Sequence, residues 1–198
     1  APVGAAPRGY RAVLISRPLV VALIAYFVFQ TGNFAALSFY GSWFARDFGL
    51  DTTGIGVAMI VIGGGNAAGS LFGHRLVARW GTSRSLTVGI AVMAVGYLVV
   101  TMTSLLVPAV GLLAIIMLAG GFVFPVMMAT LQAGAGQARG TVSSLSNVAM
   151  YAGTTIGVAI AGPIFAATTG FTGVAILAIT AYVIALLLFT AARASRPT

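Results

Sequence analysis

The stretch LLVPAVGLLAIIMLAGGFVFPVMMATL, from Leu105 to Leu131, carries no charged side chain over its whole length. A crossing of the hydrocarbon core takes about 20 mainly apolar residues, and lipid leaves the backbone no partner but itself, so this run reads as a membrane-spanning helix. Five further stretches of the same character surround it: Pro18 to Phe44, Thr53 to Val77, Ser85 to Thr103, Thr141 to Ala167 and Thr172 to Ala192. Of the 198 residues, 60% are hydrophobic and only 6% charged, against roughly a quarter charged in an average soluble domain. A soluble core of this size cannot bury that much apolar surface, so lipid must cover what protein does not. The fold class is therefore an all-α membrane protein, a bundle of six transmembrane helices over residues 18–192. Residues 1–17 form a polar lead or linker, and residues 193–198 form a tail.

The connections carry the orientation. Arg8, Arg11 and Arg17 precede the first span, Arg75, Arg79 and Arg84 surround the second connection, Arg139 precedes the fifth span, and Arg193 and Arg196 follow the last. Across the membrane stands only Arg46, beside Asp47 and Asp51. Such sorting assigns the Arg-rich side, with both termini, to the cytoplasm. It also accounts for the net charge of +8 without nucleic acid, because the basic residues are scattered between apolar runs and form no single face.

The same inventory excludes much chemistry. With no Cys there are no disulfides, thiolate metal sites or cysteine nucleophiles. The two carboxylates both fall in the first connection, so no acid within a span can relay protons or hold a cation. Paired-carboxylate hydrolysis, a Ser-His-Asp arrangement and a metal centre all lack their parts, so neither an enzyme nor a bound cofactor is expected.

The second span holds Gly65, Gly69 and Gly73 at four-residue spacing, and the fifth holds Gly153 and Gly157, followed by Gly162. Each set places small residues along one helical face, where another helix can approach closely. Pro125 and Pro163 interrupt the fourth and fifth spans and free the carbonyls of Gly121 and Ala159. Uncharged polar groups within spans must face protein or a wet cavity. Tyr26, Gln30 and Asn33, with Phe34 adjacent, share a face of the first span; Asn66 and Ser70 align on the second; Asn147, Tyr151 and Thr154 align on the fifth. Met127, Met128 and Gln132 follow the bend at Pro125.

Between the second and third spans runs GHRLVARWGTSR, Gly73 to Arg84. It resembles the cytoplasmic loop signature of the major facilitator superfamily, Gly-x-x-x-Asp-Arg-x-Gly-Arg/Lys, which recurs in both six-helix halves of those transporters. Arg79, Trp80 and Gly81 match Arg-x-Gly, and Arg75 and Leu76 are common variants. His74 and Ala78 depart from the signature, which is typically more degenerate in the second half. NVAMYAGTTIGVAIAGPIF, Asn147 to Phe165, is similar to the eleventh helix of the drug-efflux branch, with Gly153, Gly157 and Gly162 carrying the match.

The resemblance covers nearly the whole chain and implies a C-terminal six-helix half, in a bacterial inner membrane. It implies that Arg75, Arg79, Gly81 and Arg84 form a gating loop. It further implies that the first, second, fourth and fifth helices line the solute cavity, which makes Tyr26, Gln30, Asn33, Phe34, Asn66, Met128, Gln132, Asn147, Tyr151 and Thr154 candidate contacts. A neutral, aromatic and Met-containing lining suits an apolar or weakly polar solute. The partners expected are the lipid bilayer, a small solute and a second six-helix half, either an N-terminal one or another copy of this chain. The alternative is a membrane scaffold that keeps the half-transporter fold without transporting.

Overall fold

The computed structural model describes residues 16–194; the remainder of the polar lead and the last four residues, with Arg8, Arg11 and Arg196, lie outside that range. Helix α1 runs Arg17–Leu37, α2 Tyr40–Phe48, α3 Thr52–Val100, α4 Leu106–Gly134, α5 Arg139–Ala167 and α6 Thr172–Ala194, and there is no strand among the described residues. Pro18 stands in the first turn of α1, where its missing N–H has no intrahelical partner to lose. Helices α1 and α2 are one apolar stretch with a break at Ser38 and Phe39. Gly49 then stops α2 in the left-handed region, and the Asp51 carboxylate accepts from the Gly54 N–H at 2.8 Å to cap α3.

Among the described residues, five apolar helical stretches are long enough to span a bilayer, and the longest, α3, has 49 residues. A straight helix of that length would reach about 74 Å, more than twice the hydrocarbon thickness of roughly 30 Å. It is not straight. Gly81 adopts φ 75° and ψ 162°, a backbone conformation open to glycine and closed to residues with a Cβ. Gly73, before the turn, and Gly89, after it, both pack on Phe122 of α4, so the two arms of α3 run in opposite directions on either side of that helix. The described residues therefore make six crossings. Where a loop separated the second and third spans in sequence, a single residue reverses the chain, and Arg79 and Trp80 remain helical. The third crossing ends at Val100 rather than Thr103, and the first continues through α2 to Phe48 rather than stopping at Phe44.

The packing falls into two groups around α1 and α4. Gly65, Gly69 and Gly73 of α3 lie against Ala114, Leu118 and Phe122 of α4, so these segments run parallel in contact; a Cβ at any of the three would collide with its partner. Gly121 returns the arrangement, set against the Asn66 carbonyl. On the other side Gly153 and Gly157 of α5 close on Phe27 and Thr31 of α1, while Gly32 of α1 meets Ala178 and Ala181 of α6. These are small-residue contacts of the type that lets helices associate in lipid through close backbone approach. Gly162 does not belong with them: its nearest neighbour is the far edge of the Phe39 ring at 3.9 Å, so a side chain there has room.

The polar ends sort by geometry as well. Thr82, Ala133 and Arg193 border one cleft, whereas Trp43, Asp47, Ser104 and Gly170 border another. The Gly81 turn, the α4–α5 connection and the end of α6 thus share one face of the bundle, and the Asp47 loop shares the other. At the Asp47 end, Trp43 lies against Phe171 with ring centroids 5.0 Å apart, and the Tyr40 and Tyr97 hydroxyls hydrogen-bond each other in the buried core. Large apolar side chains such as Ile60, Leu71, Val107 and Leu187 stay exposed around the outside, a surface suited to acyl chains.

Candidate functional site

Between α1, the first arm of α3 and α4 lies a cavity of about 420 Å³, within the usual range for small-molecule sites. From α1 come Phe29, Gln30, Asn33, Phe34 and Leu37; from α3 come Met59, Ile62, Asn66 and Ser70; Met117 and Phe124 stand on α4, and Met150 on α5 closes one side. Among the described residues, no charged side chain lines it.

Helical spacing explains how α1 delivers its polar groups. Residues three and four apart share a face, which puts Tyr26, Gln30 and Asn33 along one stripe. The Gln30 Nε2 donates to the Tyr26 hydroxyl at 3.3 Å, and Gln30 is only 1% exposed. Its Oε1 has no hydrogen-bond partner. Asn33 is held from across the bundle, where the Tyr182 hydroxyl of α6 donates to its Oδ1 at 3.3 Å. Tyr182 is itself stacked on Phe29, with ring centroids 5.1 Å apart.

The wall between α3 and α4 depends on Pro125. Proline provides no N–H, so the Gly121 carbonyl four residues back loses its helical donor. The Ser70 hydroxyl supplies one from the neighbouring helix at 3.1 Å. One turn earlier, Asn66 Nδ2 donates to the Met117 carbonyl at 3.4 Å. Both polar groups of the α3 wall are therefore tied to α4 backbone.

Of the contacts expected from sequence, Gln30, Asn33, Phe34 and Asn66 meet at this cavity, with Tyr26 directly behind Gln30. The others do not line it. Met128 and Gln132 lie past Pro125, toward the Gly81 end. Asn147 and Tyr151 are exposed, Tyr151 at 67%, on the face of α5 turned away from its own bundle. Thr154 bonds back to the Met150 carbonyl at 2.8 Å, so its hydroxyl proton is already committed. Met59, Met117, Met150, Phe29 and Phe124 were missed, since an apolar residue in an apolar span carries no mark of whether it meets lipid, core or cavity.

At the Gly81 end, Arg75, Arg79 and Arg84 are all exposed. Arg75 sits 5.5 Å from the Phe72 ring centroid, while Arg79 and Arg84 form no hydrogen bond or ion pair among the described residues. The opposite end is tied more firmly. The Arg46 guanidinium donates to the Phe165 and Gly170 carbonyls, lies 3.8 Å over the Phe165 ring and pairs with Asp47 at 2.9 Å. Asp47 also accepts the Trp43 indole N–H at 2.9 Å. Both acids of the chain therefore have structural partners at this end, Asp47 in this cluster and Asp51 at its cap.

The bundle thus combines several apolar crossings with a cavity, open on one side, that aromatic, Met, amide and hydroxyl groups line. The chain belongs to the Major Facilitator Superfamily, whose family model matches residues 22–198. It is 42% identical over 180 residues to an uncharacterized MFS-type transporter, YceJ, of Bacillus subtilis (strain 168). That match takes in 87% of this chain and 46% of the relative, so the chain spans about half the length of the curated relative it matches. No solved structure matches. Membership places the chain in a family of membrane transporters.

Proposed function

We propose that these six crossings are the C-terminal half of an alternating-access transporter that exports a small neutral, largely apolar solute. The cavity carries this reading: one bundle offers aromatic and thioether walls with a few amide and hydroxyl groups and, among the described residues, no charge, a lining that rewards burial of apolar surface and opposes ions. A second bundle would close the open side of the cavity, and rocking of one bundle against the other would expose the solute to each face in turn. Either an N-terminal half or a second copy of this chain fills that place, and the 46% coverage of YceJ favours the former. The exposed polar face of α5, with Asn147 and Tyr151, then meets the partner half. The Arg-rich Gly81 end faces the cytoplasm of a bacterial inner membrane, and Arg75, Arg79, Gly81 and Arg84 work there as a gating loop. The coupling acid, absent from the spans of this half, belongs to the other.

Efflux of Nile red, a neutral apolar dye, from cells expressing the native open reading frame tests the proposal. Dye loss above a vector control, reduced by Asn33→Ala, is the expected result. Loss equal to the control, or unaffected by that substitution, overturns it. A homogeneous six-helix monomer in mild detergent that reconstitutes transport alone would remove the two-bundle mechanism.

A further inference from the structure

The polar groups of the cavity are committed in a pattern that leaves a specific remainder. Gln30 spends its amide nitrogen on Tyr26, and its Oε1, almost wholly buried at the cavity wall, accepts from nothing. Buried polar atoms are nearly always paired, and an unpaired acceptor in a low-dielectric setting is unfavourable until a donor arrives. One turn further along α1 the commitment is reversed. Tyr182 donates to the Asn33 Oδ1, and the amide nitrogen Nδ2 is left with both of its protons unspent. Residues three apart on a helix stand about 5–6 Å from each other at Cβ, so a free acceptor and a free donor lie side by side on one wall.

We infer that this cavity selects a solute carrying a neutral carboxamide or lactam, whose N–H donates to Gln30 Oε1 and whose carbonyl accepts from Asn33 Nδ2. A carboxylate offers no proton to Gln30 and must be desolvated without a cationic partner. An ammonium group offers no acceptor to Asn33 and has no carboxylate to meet. An ester or a tertiary amide satisfies Asn33 but leaves Gln30 unpaired. Phe34, Phe124 and Met59 supply the apolar walls for the rest of the molecule. The partner groups act by positioning: Tyr26 holds the Gln30 amide at the wall, and Tyr182 holds that of Asn33.

The inference deepens the transport reading and rests on it for the role of the solute, but its test is a binding measurement that stands apart from transport. Three probes share one aromatic body: cinnamamide has donor and acceptor, whereas N,N-dimethylcinnamamide and methyl cinnamate have only the acceptor. Equilibrium dialysis against the purified full-length protein is expected to show cinnamamide bound at least about tenfold more tightly than either of the others. A site built to pair with a donor discriminates strongly against analogues that lack it. Gln30→Met, which keeps the length of the side chain, is expected to abolish the preference by weakening cinnamamide, with methyl cinnamate changed by less than about twofold. Equal binding of the three probes by the unaltered protein, tighter binding of a donor-free probe, no binding of any at millimolar concentration, or a preference that survives Gln30→Met overturns the inference. The probe ranking on the unaltered protein decides the matter even if the variant fails to fold. A clear preference with no dye efflux sinks the transport reading alone, and efflux without the preference sinks this inference alone.

Discussion

Removing the Ser70 hydroxyl should destabilise the bundle only while residue 125 is proline. In the native chain Ser70 Oγ donates across to the Gly121 carbonyl at 3.1 Å, which Pro125 has deprived of its helical partner. Ser70→Ala leaves that carbonyl with one donor fewer. Leaving a buried polar group unsatisfied costs about 1–3 kcal/mol, while interhelical hydrogen bonds in a membrane average about 0.6 kcal/mol with an upper end of about 1.7. Gly121 is buried but Ser70 is exposed, which places the loss near 1 kcal/mol, roughly a fivefold change in the folding equilibrium. In Pro125→Ala the restored N–H of residue 125 can bond the Gly121 carbonyl directly, so the same Ser70→Ala change should then have almost no effect. The double-mutant cycle isolates the coupling, expected at about 1 kcal/mol. Reversible unfolding in mixed detergent and SDS micelles, followed by far-UV circular dichroism, resolves a difference of that size. Equal losses in the two backgrounds would show that Ser70 does not serve the carbonyl freed by Pro125, and the account of this cavity wall would fall with it.

Gly157→Val should lower thermal stability sharply, because its Cβ would meet the Thr31 carbonyl and force α1 from α5, an overpacking change worth about 1–3 kcal/mol or more; Gly56→Ala, with nothing within 4 Å, should be neutral or mildly stabilising in the same scan. Arg46→Gln removes the donors to the Phe165 and Gly170 carbonyls and should speed amide exchange over 40–48 and 165–171, with Arg46→Lys restoring little because a single ammonium lacks the planar fork. Protection unchanged in Arg46→Gln would mean that the apolar contacts of Trp43 and Phe171 suffice to hold this end. Because the chain has no Cys, Thr82→Cys and Ser104→Cys need no background mutation, and an impermeant maleimide should reach them from opposite sides of the membrane. Labelling of both from one side would refute the reversal of α3 at Gly81.

The features that sequence exposed and those it hid differ by a physical rule. Crossing segments were legible because bilayer thickness sets a length and lipid forbids charge, and both constraints act on local composition. The Gly65, Gly69 and Gly73 stripe was legible for a related reason: close backbone approach demands small residues at a helical interval, whichever helix lies opposite. The reversal at Gly81 was harder to read. The expected loop supplied polar residues, but the turn needed only one left-handed glycine, and Arg79 and Trp80 stayed helical. The cavity divides along the same line. Helical spacing correctly grouped Tyr26, Gln30 and Asn33 because it specifies which residues share a face. It could not say what that face meets, so the equally regular set of Asn147 and Tyr151 on α5 points out of the bundle. Met59, Met117, Met150, Phe29 and Phe124 were invisible for the converse reason, since lipid, core and cavity all accept such side chains. Partner commitment then separates a polar residue that packs from one that recognises. Ser70 and Thr154 have already donated their protons to backbone carbonyls, whereas Gln30 keeps an acceptor unpaired in the interior. That distinction depends on the spatial neighbours of α1, some of them, like Tyr182, almost 150 residues away in the chain.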